Sequence, residues 1–108
     1  MADRVDTYAR SLLAIAQTEG HLEEVEDELF RFARIVEGND ELRMALSDRA
    51  LPAERRMAIV EELLDNRALP TTAAMASFLV GIGRGHDLPA VVQRFVELAA
   101  GTRQREVA

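Results

Sequence analysis

At 108 residues the chain is sized for one domain with a modest core. Its 48% hydrophobic and 30% charged residues are the composition of a soluble, folded protein, and no apolar run approaches the roughly 18 to 20 residues that span a bilayer. A formal charge of −6 argues against a nucleic-acid surface, which needs clustered cations, and the lack of cysteine excludes a disulfide framework and a thiolate metal site. The opening residues, MADRVDTYAR, lack the apolar core of a signal peptide, so export is not expected.

A first helix is predicted from about Asp3 to Glu19, where Val5, Tyr8, Ala9, Leu12, Ile15 and Ala16 recur at helical spacing. Leu13 and Ala14 widen its apolar side beyond a single seam, and Gly20 supplies a left-handed residue after the last turn. The second helix, about Leu22 to Glu37, has the clearest amphipathic pattern, carried by Leu22, Val25, Leu29, Phe32, Ala33 and Val36. Its acidic start, Glu23 to Glu28, suits the positive end of the helix dipole and reads as a solvated face. The short link between these two helices predicts an antiparallel pair.

Asn39 is placed to cap a short third helix, Asp40 to Ser47, with Leu42, Met44, Ala45 and Leu46 as its buried residues. Pro52 fits the first turn of a fourth helix that turns Met57, Val60, Leu63 and Leu64 inward and ends near Asp65. Residues 66–70 then form a turn, because the residue before Pro70 is biased away from helix.

The fifth helix, within TTAAMASFLVGIGRG from Thr71 to Gly85, is unusual. Thr71 or Thr72 is its expected cap and Gly83 or Gly85 its exit. At about 100° per residue, Met75, Leu79 and Ile82 share one stripe and Ala74, Phe78 and Gly81 a neighbouring one, while Ala73, Ala76 and Val80 fill much of the rest. Two readings fit this surplus: a partner surface, or imperfect alternation in a small core where surface alanines are harmless. A sixth helix begins at Asp87 to Pro89 and carries Val91, Val92, Phe95, Leu98 and Ala99; beyond Gly101 a helix end or linker is expected. No segment alternates with period two between hairpin turns, so the expected fold is an all-α, compact bundle of about six helices.

Catalytic chemistry finds little support. His21 and His86 stand at helix boundaries without a second ligand at metal-binding spacing. The glycines of GIGRG follow a helix, whereas a dinucleotide loop needs a strand before them, so they read as helix termination. Carboxylates fanning around the second helix do not converge on a cation, and neither Ser11 nor Ser77 sits in a nucleophile elbow. No catalytic, cofactor or metal site is expected.

One series of residues is more specific. Tyr8-Ala9-Arg10-Ser11-Leu12 opening an Ala-rich helix, a Gly turn, a heptad-like second helix, NDELR at Asn39 to Arg43, Gly83-Arg84, and Leu88-Pro89 leading to Phe95 follow one another along nearly the whole chain. In order and spacing they resemble the N-terminal domain of the delta subunit of bacterial F-type ATP synthase, the counterpart of mitochondrial OSCP. The resemblance implies a non-catalytic six-helix module at the top of F1, part of the peripheral stalk, or stator. It also implies a groove between helices one and five for the amphipathic N-terminal helix of an alpha subunit. Carried over by position, that partner-binding groove uses Tyr8, Ser11, Leu12 and Ile15 with Ala74, Phe78 and Gly81.

The same resemblance implies a peripheral location on the cytoplasmic face of the bacterial membrane, without insertion. The family usually continues into a second domain that meets the b-subunit stalk, so residues 1–105 are expected to form one helical domain and 106–108 a tail or the start of a linker. GIGRG is more glycine-rich than the family's usual polar ending there. The competing reading is a helical DNA-binding or adaptor regulator, with the helices around Asn39 to Asp65 as a helix-turn-helix. The acidic balance and a link longer than that motif's turn stand against it.

Overall fold

The structure, a computed structural model, describes residues 3–107, with side chains through Thr102. Six α-helices follow in order: α1 Arg4–Glu19, α2 Leu22–Glu37, α3 Asp40–Ser47, α4 Ala53–Leu64, α5 Pro70–Gly81 and α6 Leu88–Val107, with a 3-10 turn at Gly85–Asp87 before the last. No strand occurs among the described residues.

Most boundaries follow from local chemistry. Asp3 starts α1 by accepting the Asp6 amide at 2.8 Å, and Gly20 ends it at φ 82°. Asn39 accepts the Leu42 amide at 3.0 Å and so caps α3. At the end of α5, Gly83 adopts φ 82°, and the amides of Gly83 and Arg84 return to the carbonyls of Val80 and Leu79 at 3.2 and 2.9 Å. That paired closure makes Gly83 the exit from α5. Gly85 is needed for a different reason, since a Cβ there would overlap the Leu46 carbonyl; glycine lets the 3-10 turn lie against the end of α3.

Three boundary expectations change. Pro52 stands just before α4, as the residue outside its first turn. Neither Thr71 nor Thr72 caps α5; Leu69 holds that position, Pro70 is the first helical residue, and the cap arrives from another helix, as described below. The last helix does not stop at Gly101 but continues to Val107. Gly101 lowers helix propensity by about 1 kcal/mol relative to Ala, yet the helix runs through it, two residues beyond the buried Ala99. Ala108, the final residue of the expected tail, lies outside the described residues.

Packing centres on α6, whose Leu88, Val91, Val92, Phe95 and Ala99 are all buried. α1 and α2 touch each other, but both make their larger contacts with α6. α5 packs chiefly on α4 and less on α2. Phe32 and Phe95 fill the centre, each contributing about 1.5–3 kcal/mol by removal from water. In α3 the expected inward set holds for Leu46, which is buried, and for Leu42 and Ala45, which are partly buried, but Met44 is 70% exposed because two helical turns offer one narrow inner stripe.

Candidate functional site

The contact that this packing neglects is the one between α1 and α5, which touch only slightly. α1 leans on α6 through Ala9, Leu12 and Ala16, α5 leans on α4, and a groove of about 560 Å³ opens between them. Leu12, Met75 and Leu79, all buried, lie at its base, while Ile15 and Phe78 line it at 47% and 45% exposure. Tyr8 is partly buried on the α1 side, Ala74 is exposed on α5, and Pro70 and Thr71 line the start of the α5 wall.

The polar atoms along α1 are largely turned to their own helix. Ser11 Oγ donates to the Thr7 carbonyl at 3.0 Å, and Thr7 Oγ1 donates to the Asp3 carbonyl at 3.1 Å. Glu19 is the one carboxylate among the lining residues. A surface of this kind attracts apolar side chains and offers little long-range steering.

Six of the seven residues expected at the groove are brought together there: Tyr8, Ser11, Leu12, Ile15, Ala74 and Phe78. Gly81 is not among the lining residues. A Cβ at Gly81 would come within 2.9 Å of Met57 Sδ, so this glycine serves the close approach of α5 to α4. The exposed strip of α5 is rotated toward Thr71, Ala74, Phe78 and Ile82, spaced by three, four and four. Met75 and Leu79 face the core while Ile82, on the same calculated stripe, is 44% exposed because it lies past the end of the helix.

Each wall is fastened from behind. Asp6 of α1 holds Arg94 of α6 at 2.8 Å and Arg10 at 2.7 Å. Hydrogen bonds from Arg10 and then Arg94 set its carboxyl below the ordinary value of 3.8. At the start of α5, Glu28 of α2 accepts the Leu69 amide at 3.0 Å and the Thr72 hydroxyl at 2.6 Å. This is the missing cap, supplied across the fold, and it removes Glu28 from the solvated acidic face predicted for α2.

At the other end Arg56 of α4 is 5% exposed. It donates to the carbonyls of Val80 at 2.9 Å, Gly81 at 3.3 Å and Asp48 at 3.1 Å, and also to that of Leu51. Sequence reasoning missed both side chains. Glu28 is one acid in a run of acids and carries no distinguishing signal. Arg56 does: it precedes Val60 by four residues, on the inward stripe of α4.

Ser77 Oγ is buried without a hydrogen-bond partner, and it does not line the groove. Among the described residues no three His, Asp or Glu side chains assemble as a metal site.

Comparison with known proteins agrees with this architecture. The family model of the ATP synthase delta (OSCP) subunit matches residues 5–108. The chain is 45% identical to ATP synthase subunit delta of Salinispora arenicola over 107 residues, covering 99% of this chain and 38% of that protein. It is 45% identical to the Beutenbergia cavernae subunit over 98 residues, 91% of this chain and 36% of that one. With the Streptomyces avermitilis subunit the identity is 46% over 96 residues, 89% of this chain and 35% of that one. The chain therefore spans well under half the length of the curated relatives it matches.

Proposed function

Since this chain belongs to the ATP synthase delta (OSCP) subunit family, we propose that it is a non-catalytic peripheral-stalk module that receives the amphipathic N-terminal helix of an alpha subunit between α1 and α5. The observation that carries this reading is the apolar groove itself, flanked by half-exposed Ile15 and Phe78 in a domain whose other phenylalanines include two that are fully inside. A helix laid in such a groove is read by apolar anchors at three- and four-residue spacing. Tyr8, Ser11, Leu12, Ile15, Ala74 and Phe78 are the contact residues in this reading. Gly81 acts behind the wall by letting α5 approach α4.

A stator must hold against torque without doing chemistry, and buried apolar area with rigid walls suits that demand. Tyr8 can bury its ring against the incoming helix and leave its hydroxyl wet. In this reading residues 1–105 are the folded domain and 106–108 a tail or the start of a linker. Contacts with the rest of F1 and with the b-subunit stalk fall to the family's length beyond this chain. The module then works at the cytoplasmic face of the membrane as a peripheral part. No helix among the described residues is long and apolar enough to cross a bilayer.

The test is calorimetric titration with a peptide of the alpha-subunit N-terminus, paired with amide chemical shifts. Saturable binding with shifts in α1 and α5 is expected. Phe78→Asp should weaken it at least about tenfold, or about 1.4 kcal/mol, while Met44→Asp, at an exposed site on α3, leaves it unchanged. Absence of binding sinks the proposal, and shifts confined to α3 and α4 with retention of DNA at moderate salt favour the regulator instead.

A further inference from the structure

Phe30 is an exposed aromatic residue that neither the core nor the α1–α5 groove explains. It is 48% exposed on α2, and on that helix it lies on the outer face among Glu23, Glu26, Asp27 and Glu37. A phenylalanine on an acidic face does nothing for solubility and little for a core it does not enter. Its surroundings are concave. Two adjoining hollows of about 370 and 400 Å³ share Phe30 and Val96 as lining residues, and Ala33, Pro89 and Val92 continue the apolar floor along the seam of α2 with α6.

We infer that the α2–α6 seam is a second docking surface, and that its occupant is a basic amphipathic helix with an apolar stripe flanked by lysines or arginines. This inference stands apart from the reading of the α1–α5 groove, because it uses other helices and another aromatic residue.

Charge selects the occupant. Glu23, Glu26, Asp27, Glu37 and Glu97 line the two hollows, and Arg34 is the one cation among the lining residues. Arg34 lies over Phe30, 5.9 Å from the ring centroid, and leaves half of the residue accessible. Arg31 pairs with Asp27 at 2.7 Å and Arg94 with Glu97 at 3.1 Å, which matches those two carboxylates within the chain and leaves the surplus negative charge on Glu23 and Glu37. An incoming helix therefore meets an apolar floor between carboxylate edges, which favours cations beside its anchors. A second copy of this chain, itself at −6, would set acid against acid, and an anionic lipid surface would be repelled likewise. From Glu23 to Glu37 the seam runs about 21 Å at 1.5 Å per residue, enough for about four turns of a partner helix.

The probe is a designed helical peptide of about four turns with leucines at three- and four-residue spacing and lysines beside them, compared with a counterpart bearing glutamates in place of the lysines. Calorimetry and amide shifts on the whole chain are the readouts. The lysine peptide is expected to bind saturably, shift α2 and α6, and weaken steeply with salt, while the glutamate peptide does not bind. Phe30→Ser should reduce affinity at least tenfold, and the charge-neutral pair Glu23→Gln with Asp27→Asn should do so without touching the apolar floor. Ile35→Asp, at an exposed residue on another side of α2, should not reduce it. Unchanged affinity in Phe30→Ser overturns the inference. So does loss of binding in Phe78→Asp, which would place the peptide in the α1–α5 groove, and so does a concentration-dependent dimer abolished by Phe30→Ser.

Discussion

Arg56 illustrates how one residue fixes a helix end that its own helix does not own. Its guanidinium is buried, and its partners here are carbonyls, two of which belong to the negative terminus of α5. Because a buried cation must be solvated by the protein, the four carbonyls and the arginine depend on one another. Arg56→Ala removes the donors and leaves those carbonyls short of partners. Urea denaturation should show a loss of about 2–4 kcal/mol. Arg56→Lys should recover only part of it, since an ammonium cannot reproduce the planar fork. The residue type alone, an arginine in a helix rich in charge, predicts an exposed side chain; only its register with Val60 hints otherwise.

At the scale of the element, α5 carries most of the interest, and its two ends are held by different helices. Glu28 closes the start from α2, and Arg56 closes the finish from α4. Between them the helix can keep an apolar strip facing outward without fraying, because its stability does not depend on what fills the groove. Glu28→Ala should cost about 1–2 kcal/mol and accelerate hydrogen exchange at the amides of the first turn of α5, whereas Glu28→Gln, which keeps an acceptor, should lose less. Exchange in α1 measured alongside serves as the internal reference. The helix, its glycine exit and its excess of apolar surface were all readable in the sequence. The stripe that faces outward was not, since Ala74 and Gly81 occupy nearly one line on a helical wheel and α4 claims only the second of them.

At the scale of the molecule, α6 is the hub and the Asp6–Arg94 pair links it to α1 across 88 residues of sequence. Arg10 and Arg94 depress the folded-state pKa of Asp6, so the contribution of this carboxylate is fully present above its unfolded value, near 3.8, and is lost as pH falls through the lower folded value. The stability difference between the parent chain and Asp6→Asn should therefore stay constant from neutral pH down to about pH 5 and shrink at more acidic pH. Denaturation midpoints across that range give the measurement; a difference that grows on acidification contradicts the assignment.

The sequence by itself determined the helical class, six helices, most caps and the phenylalanines of the core, because those depend on spacing and on groups within a few residues of one another. It also carried the family resemblance and, with it, six residues that line the α1–α5 groove. Only the tertiary structure decided that α6 rather than α2 is the main partner of α1, that Met44 faces out, and that Glu28 and Arg56 hold α5. It likewise decided that the seam beside Phe30 is concave. Each of these depends on which helix occupies which neighbour's face, and a helix with apolar residues on several sides is compatible with more than one such choice. The opening between α1 and α5 is of the same kind: it exists because both helices spend their closest packing on other partners.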